Sequence, residues 1–160
     1  MKNKIISFLL TIFLMATYCV QAHSKEFIFE SESLEFKDNG NTIEAKNGVK
    51  ITSDNKIEIT AKESYFNKLT SELFLKGDVV LIDLERDIKI LSQEIIYIKN
   101  IEKILSKGKA TTYLANKYTL YSENIEYSMK NKIIQSKFNS TLIDKFNNEI
   151  TSTNFKYTDN

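Results

Sequence analysis

One place in this 160-residue chain gathers enough ionisable side chains to attempt chemistry: Asp83, Glu85 and Asp87 stand close together around Arg86, the single arginine. Two carboxylates at such a spacing can divide general-acid and general-base work in glycoside hydrolysis. The same residues also read as a charge-rich hairpin loop between Leu81 and Ile88, and that reading is preferred. Elsewhere the means of catalysis are missing. The only histidine is His23 and the only cysteine is Cys19, both near the start of the chain. A Ser-His-Asp triad, thiol catalysis and a histidine- or cysteine-ligated transition-metal site are therefore not expected. No glycine-rich motif cradles a phosphate, and one arginine without any basic block argues against nucleic acid. The expectation is a protein that binds rather than catalyses, without metal or cofactor, and whose main asset is an apolar interior.

The elements that would build that interior are written as a repeat. The phrase apolar-x-apolar-x-small-x-x-apolar-x-aromatic recurs at a spacing of 30 or 31 residues. It runs Phe27 to Phe36, Ile57 to Phe66, Ile88 to Tyr97, Tyr118 to Tyr127, and Asn148 to Tyr157 in a shortened last copy. A second in-phase pair follows the first four copies: Val49/Ile51, Val79/Leu81, Ala110/Thr112 and Ser140/Leu142. Self-similarity at such a period implies one supersecondary unit stacked on copies of itself. Within each unit the apolar period is two, which argues half-buried strands with one face inward. Val79-Val80-Leu81-Ile82 is the one stretch apolar on both faces. There is no proline to remove a ladder donor. Asn47-Gly48, Gly77-Asp78 and Gly108-Lys109 mark a tight turn or bulge at equivalent places, with Phe138-Asn139 taking that place in the fourth copy. Asp38-Asn39-Gly40-Asn41 is a hairpin signal. The chain is all-β.

Residues 1–22 are a different object. Lys2 and Lys4 precede an apolar run from Ile5 to about Val20, and Val20-Gln21-Ala22 has the small-x-small form that signal peptidase cuts. The reading is a cleaved secretory signal at 1–22 and one domain over 23–160. A retained membrane anchor and a lipoprotein anchored at Cys19 are weaker readings of the same residues. Once the signal is removed the chain carries nearly equal numbers of acids and bases and no cysteine, so an exported domain must rely on ladders and core rather than disulfides.

Inward phase assigns three columns of side chains. Phe29, Ile59, Ile90, Leu120 and Ile150 form one; Phe36, Phe66, Tyr97, Tyr127 and Tyr157 form a second; Leu34, Ile95, Ile125 and Phe155 form a third, in which Ser64 is the exception. Small or polar inward residues at Ser106, Ala110, Thr112, Ser136 and Ser140 suggest an interior that widens or opens. The incomplete last copy leaves a ladder edge that can accept another chain. Phe27 and Phe29 at one end, with Phe155 and Tyr157 at the other, are the candidate partner edges. A closed β-solenoid serving as a structural or adhesive envelope protein, with a sealed core and no lipid affinity, is the competing reading.

The pattern as it stands in Ile57-Glu58-Ile59-Thr60-Ala61-Lys62-Glu63-Ser64-Tyr65-Phe66, followed by Leu73-Phe74-Leu75-Lys76-Gly77-Asp78-Val79-Val80-Leu81, resembles the OstA-like family of lipopolysaccharide transport proteins. The resemblance runs from Phe27 to Tyr157. The family's Ala-Asp pair after the first strand is Ala61-Lys62 in one copy and Ser92-Gln93 in another, and the fourth copy lacks the turn glycine. The resemblance implies a repetitive, open, twisted β-jellyroll of about four and a half repeats. Its groove would shield the acyl chains of lipid A and be lined by Phe29, Phe36, Ile51, Ile57, Ile59, Phe66, Val79, Leu81, Ile88, Ile90, Tyr97, Leu120 and Tyr127. It implies a periplasmic protein that binds lipopolysaccharide and joins other members head to tail by strand addition. The chain stops inside a repeat, which on this reading favours the N-terminal domain of the outer-membrane assembly barrel over a short free bridge protein.

Overall fold

The computed structural model describes residues 27–53 and 56–158. The expected signal at 1–22, with Cys19 and with His23 beyond it, lies outside the described residues. Thirteen strands form one antiparallel sheet: β1 (Phe27–Lys37), β2 (Thr42–Ser53), β3 (Ile57–Ala61), β4 (Glu63–Asn67), β5 (Glu72–Asp83), β6 (Ile88–Ile98), β7 (Lys103–Leu114), β8 (Tyr118–Glu123), β9 (Glu126–Ser128), β10 (Ile133–Ser136), β11 (Ser140–Asp144), β12 (Glu149–Ser152) and β13 (Phe155–Thr158). They amount to nine long rungs that run up and down, two rungs to each sequence repeat. Some rungs are continuous and bent, as β1, β2, β5, β6 and β7 are. The others are broken at the same level into β3 and β4, β8 and β9, β10 and β11, and β12 and β13.

The bend divides the sheet into two leaves. In the first, Phe29 pairs with Ile51, Ile51 with Ile59, Ile59 with Leu81, Leu81 with Ile90, and the row continues through Thr112, Leu120 and Leu142 to Ile150. In the second, Phe36 pairs with Ile43, Ile43 with Phe66, Phe66 with Leu73, Leu73 with Tyr97, and the row continues through Ile104, Tyr127 and Ile134 to Tyr157. Residues directly opposite in an antiparallel ladder share a face, so each row is an inward stripe that crosses every rung. Two of the three columns expected from the repeat, the one through Ile59 and Ile90 and the one through Phe66 and Tyr97, are these stripes.

The corner between the leaves explains the small residue and the glycine of the repeat. Register shifts fall between Ser31 and Ser33, between Lys76 and Val79, and between Ser92 and Glu94. An extra residue on one strand leaves ladder groups unpaired there. Ser31 Oγ donates toward the Lys46 and Gly48 carbonyls at 2.9 and 2.8 Å, and Ser92 Oγ lies 3.3 Å from each of the Lys107 and Lys109 carbonyls. The serine thus meets the two carbonyls flanking the bulged residue. On the partner rung Asn47 and Gly48, or Gly77 and Asp78, adopt positive φ to make the bulge.

That arrangement corrects one expectation. Ser106, Ala110, Thr112, Ser136 and Ser140 do not open the interior; all are buried. Their small volumes let the leaves close, and the hydroxyls of the three serines serve the corner. Ser106 Oγ accepts from the Ile125 N–H at 2.8 Å, Ser136 Oγ donates to the Glu123 carbonyl at 2.7 Å, and Ser122 and Ser140 bond to each other at 2.7 Å.

Every pairing is antiparallel, so the chain meanders instead of coiling. A solenoid of stacked coils, the architecture behind the competing structural reading, is not what forms. Both terminal rungs have one unpaired side among the described residues: β1 pairs with β2 alone, while β12 and β13 pair only with β11 and β10.

Candidate functional site

The inner faces of the two leaves meet over one continuous core. Of the side chains expected to line a groove, Ile51, Ile57, Ile59, Phe66, Val79, Leu81, Ile88, Ile90, Tyr97, Leu120 and Tyr127 are all buried, and Phe29 packs against them half-buried. Phe36 is the departure. It lies in the inward phase, yet 63% of it is exposed, because the second half of β1 is the last rung of its leaf and nothing packs over it. Ile150, at the other end, is 65% exposed for the same reason. Leu34 is exposed as well. The interior is thus packed on its own side chains in the central repeats and meets solvent at its two ends.

The expected partner edges turn out to be part of this interior. Phe27, Phe29, Phe155 and Tyr157 are partly buried against the core, not projected away from the edge. Phe27 sits edge-on to Phe66 at 5.1 Å and to Tyr97 at 5.5 Å between ring centroids. Phe27 belongs to the first leaf and its two partners to the second, so the aromatic contacts join the leaves. Such pairs add about 0.5–1.5 kcal/mol each beyond the area they bury. Lys99 Nζ lies 4.5 Å from the centre of the Phe27 ring.

The carboxylates that opened the sequence reading are drawn apart. Asp83 is not a loop residue. It ends β5 in phase with Val79 and Leu81, paired with Ile57 on one side and Ile88 on the other, and its side chain is fully buried. Its Oδ1 accepts the backbone N–H groups of Glu85 and Arg86 at 3.0 and 3.1 Å, and its Oδ2 accepts from the Arg86 guanidinium at 3.0 Å and from the Tyr127 hydroxyl at 2.5 Å. Glu85 stays in solvent beside Arg86, 3.6 Å away, and Asp87 is tied to Asn116 of the next hairpin at 2.7 Å. No two carboxylates face each other across a cleft here, and among the described residues no group of three His, Cys, Asp or Glu is arranged to hold a metal ion.

Tyr127 lies on the second leaf, so its bond to Asp83 crosses the interior. Burial pushes the Tyr127 hydroxyl far above the usual phenol range, and its hydrogen bond to Asp83 pushes in the same direction. At Arg86 burial works against the charge, but the hydrogen bond to Asp83 and the surrounding negative groups hold the guanidinium above its ordinary value. A buried carboxylate is stable only when paired and fully hydrogen-bonded, and here four donors supply that. The sequence carried a signal for this: Asp83 is two residues beyond Leu81 in a strict alternation.

Outside the core, the first leaf bears a concavity of about 670 Å³ whose floor includes Val80, Leu91, Thr111, Tyr121 and Thr141, and the second leaf bears one of about 340 Å³ beside Tyr65, Phe74 and Ile96. The double-faced apolar character of β5 is therefore real: Val79 and Leu81 enter the core while Val80 and Ile82 stand half-buried on the outer face.

No family model matches the chain, and no curated protein is found to be similar to it. Among solved structures, the chain is similar to the crystal structure of LptH, the LptA-homologous periplasmic component of the lipopolysaccharide transport device from Pseudomonas aeruginosa. The TM-score is 0.62 at 14% sequence identity, over 69% of this chain and 80% of that one. At that identity the likeness is one of fold: this chain has the β-jellyroll fold of an LptA-like protein.

Proposed function

We propose that this protein is a non-enzymatic, OstA-like component of lipopolysaccharide transport that shields the acyl chains of lipid A between its two leaves. The observation that carries the reading is the pair of inward rows, nearly all aliphatic or aromatic, that cross every rung from Phe29 to Ile150 and from Phe36 to Tyr157 and meet solvent at both ends. Acyl chains need a continuous apolar trough and no catalytic group, and each buried methylene contributes roughly 0.8 kcal/mol. The fold likeness to LptH supports the same reading. Export to the periplasm follows from the signal read at 1–22. The chain then acts as the N-terminal domain of an outer-membrane assembly protein or as a free bridge protein. Its free rungs suit head-to-tail strand addition to other OstA-like proteins, since an unpaired edge is a template for another chain.

Ile59 and Ile90 are too deeply buried for a charge there to report on lipid alone, so the test uses the ends. A photo-crosslinking amino acid at Phe29, Phe36 or Leu142 should label lipid A in membranes or in detergent-solubilised mixtures, while the same group at Leu69, which is 77% exposed in a loop, should not. Equal labelling at all four positions would remove the trough. Strand addition is tested separately: Ile28→Pro in β1 should abolish concentration-dependent association in sedimentation without altering the circular dichroism of the central repeats. A wild-type chain that stays monomeric at high concentration and captures no OstA-like partner would end that part of the reading.

A further inference from the structure

We infer that Asp83, Arg86 and Tyr127 form a clasp that holds the two leaves shut at mid-length, and that an acyl chain reaches the central interior only when this clasp opens. The inference rests on the lipid-shielding reading for its purpose, but the clasp itself is a matter of geometry. Asp83 stands at the hairpin end of the first leaf and Tyr127 on the second, and the 2.5 Å bond between them spans the space between the leaves. Both side chains are completely buried.

The clasp differs in kind from the other contacts along this line. At the N-terminal end the leaves meet through Phe27 against Phe66 and Tyr97. A hydrocarbon chain sliding between those rings replaces one apolar contact with another. It cannot replace the hydrogen bond from Tyr127 to Asp83. A methylene lodged there would leave a buried carboxylate short of a donor and a buried hydroxyl without an acceptor, a loss far larger than the gain from burying the methylene. Arg86, three residues beyond Asp83 in the same hairpin, reinforces the point. Arg86 comes back from the loop to share Oδ2 with Tyr127, so the carboxylate is held from the chain side even while the tyrosine lets go. The equivalent aspartate one repeat pair later, Asp144, likewise accepts loop N–H groups, from Phe146 and Asn148, but it is only half-buried, and its Oδ2 accepts from the Asn148 side chain where that of Asp83 meets Arg86 and Tyr127. The hairpin needs the aspartate; the clasp needs Tyr127.

The bend offers the hinge. Rungs β2, β5 and β7 turn there at a bulge with positive φ at Gly48, Gly77 and Gly108, while the ladders within each leaf stay intact. Opening therefore separates the leaves without unpairing strands.

The test compares the full chain with Tyr127→Phe, which deletes one oxygen and keeps the ring, and with Asp83→Asn, which retains an Oδ1 acceptor for the loop and serves if the first variant does not fold. Asp144→Asn is the control. Hydrogen exchange without lipid is read by segment, and uptake of a pyrene-labelled fatty acid is read by stopped flow. The expected result is exchange accelerated roughly ten-fold to a hundred-fold, the equivalent of a hydrogen bond to a charged group. It should be confined to the segments that meet at the clasp, 57–61, 79–92 and 126–134, with probe uptake faster by a similar factor. Faster exchange there, with no probe taken up by any of the proteins, leaves the clasp standing and removes the lipid reading. Unchanged exchange and unchanged uptake in a folded Tyr127→Phe protein overturn the clasp. So does exchange accelerated equally in every strand with a matching fall in urea midpoint, since Tyr127 would then be an ordinary core residue.

Discussion

Ile90 and Ile150 occupy the same inward row of the first leaf, yet Ile90 has no exposed surface while 65% of Ile150 is exposed. Identical side chains in identical repeat positions meet different surroundings, because a rung in the middle is covered by the opposing leaf and a rung at the end is not. Ile90→Ala should therefore cost about 2–5 kcal/mol of stability, the usual range for emptying a packed site. Ile150→Ala should change it by less than about 0.5 kcal/mol, as at an exposed position. Urea unfolding monitored by circular dichroism measures both. Similar losses at the two positions would mean that the last rung is covered in solution.

Gly77 and Gly108 stand at equivalent corners but are not equally replaceable. Both have positive φ, at 81° and 72°. A Cβ on Gly77 would fall 2.8 Å from Lys62 Cδ and 2.9 Å from Lys62 Cβ, whereas a Cβ on Gly108 would meet nothing within 4 Å. Lys62 cannot easily move aside, since its N–H bonds to the Lys76 and Gly77 carbonyls and its ammonium group holds Asp78 at 2.6 Å. Gly108→Ala should cost about 1–2 kcal/mol, from the left-handed backbone alone. Gly77→Ala should cost a further 1–3 kcal/mol, roughly the penalty of overpacking. Thermal or urea midpoints of the two variants give the order; a reversed order would refute the account of the corner.

Stability should fall in base through Tyr127. Its hydroxyl is held protonated in the folded protein well beyond the usual phenol range, by burial first and then by the bond to Asp83. A group whose affinity for its proton rises on folding stabilises fully below its unfolded value and loses that contribution as pH climbs above it. The unfolded phenol titrates near pH 10, so the loss begins at about that pH and continues upward. The urea midpoint of the wild-type chain should decline more steeply above that pH than that of Tyr127→Phe, and the two slopes should agree at neutral pH. Parallel curves throughout would assign the alkaline loss to other groups.

The amino-acid sequence by itself determined the repeat, the strand period and the face each residue presents. Period-two alternation at a fixed 30- or 31-residue spacing allows one register, because a slip of one residue would turn every isoleucine of Ile57-Glu58-Ile59 to the wrong side. The columns through Ile59, Ile90 and Leu120, and through Phe66, Tyr97 and Tyr127, were legible for that reason. What covers each column was not legible, since it depends on which leaf lies opposite and where the sheet ends. Phe36 and Ile150 fit the inward pattern and are exposed; Ser106, Ser136 and Ser140 looked like openings and prove to be corner caps. Asp83 shows the limit most plainly. Its phase placed it inward, but a carboxylate beside Glu85, Arg86 and Asp87 reads locally as solvated loop. Only the folding of one leaf onto the other brings Tyr127, from a distant repeat, to within hydrogen-bonding distance of it, and burial between the leaves is what makes that bond strong.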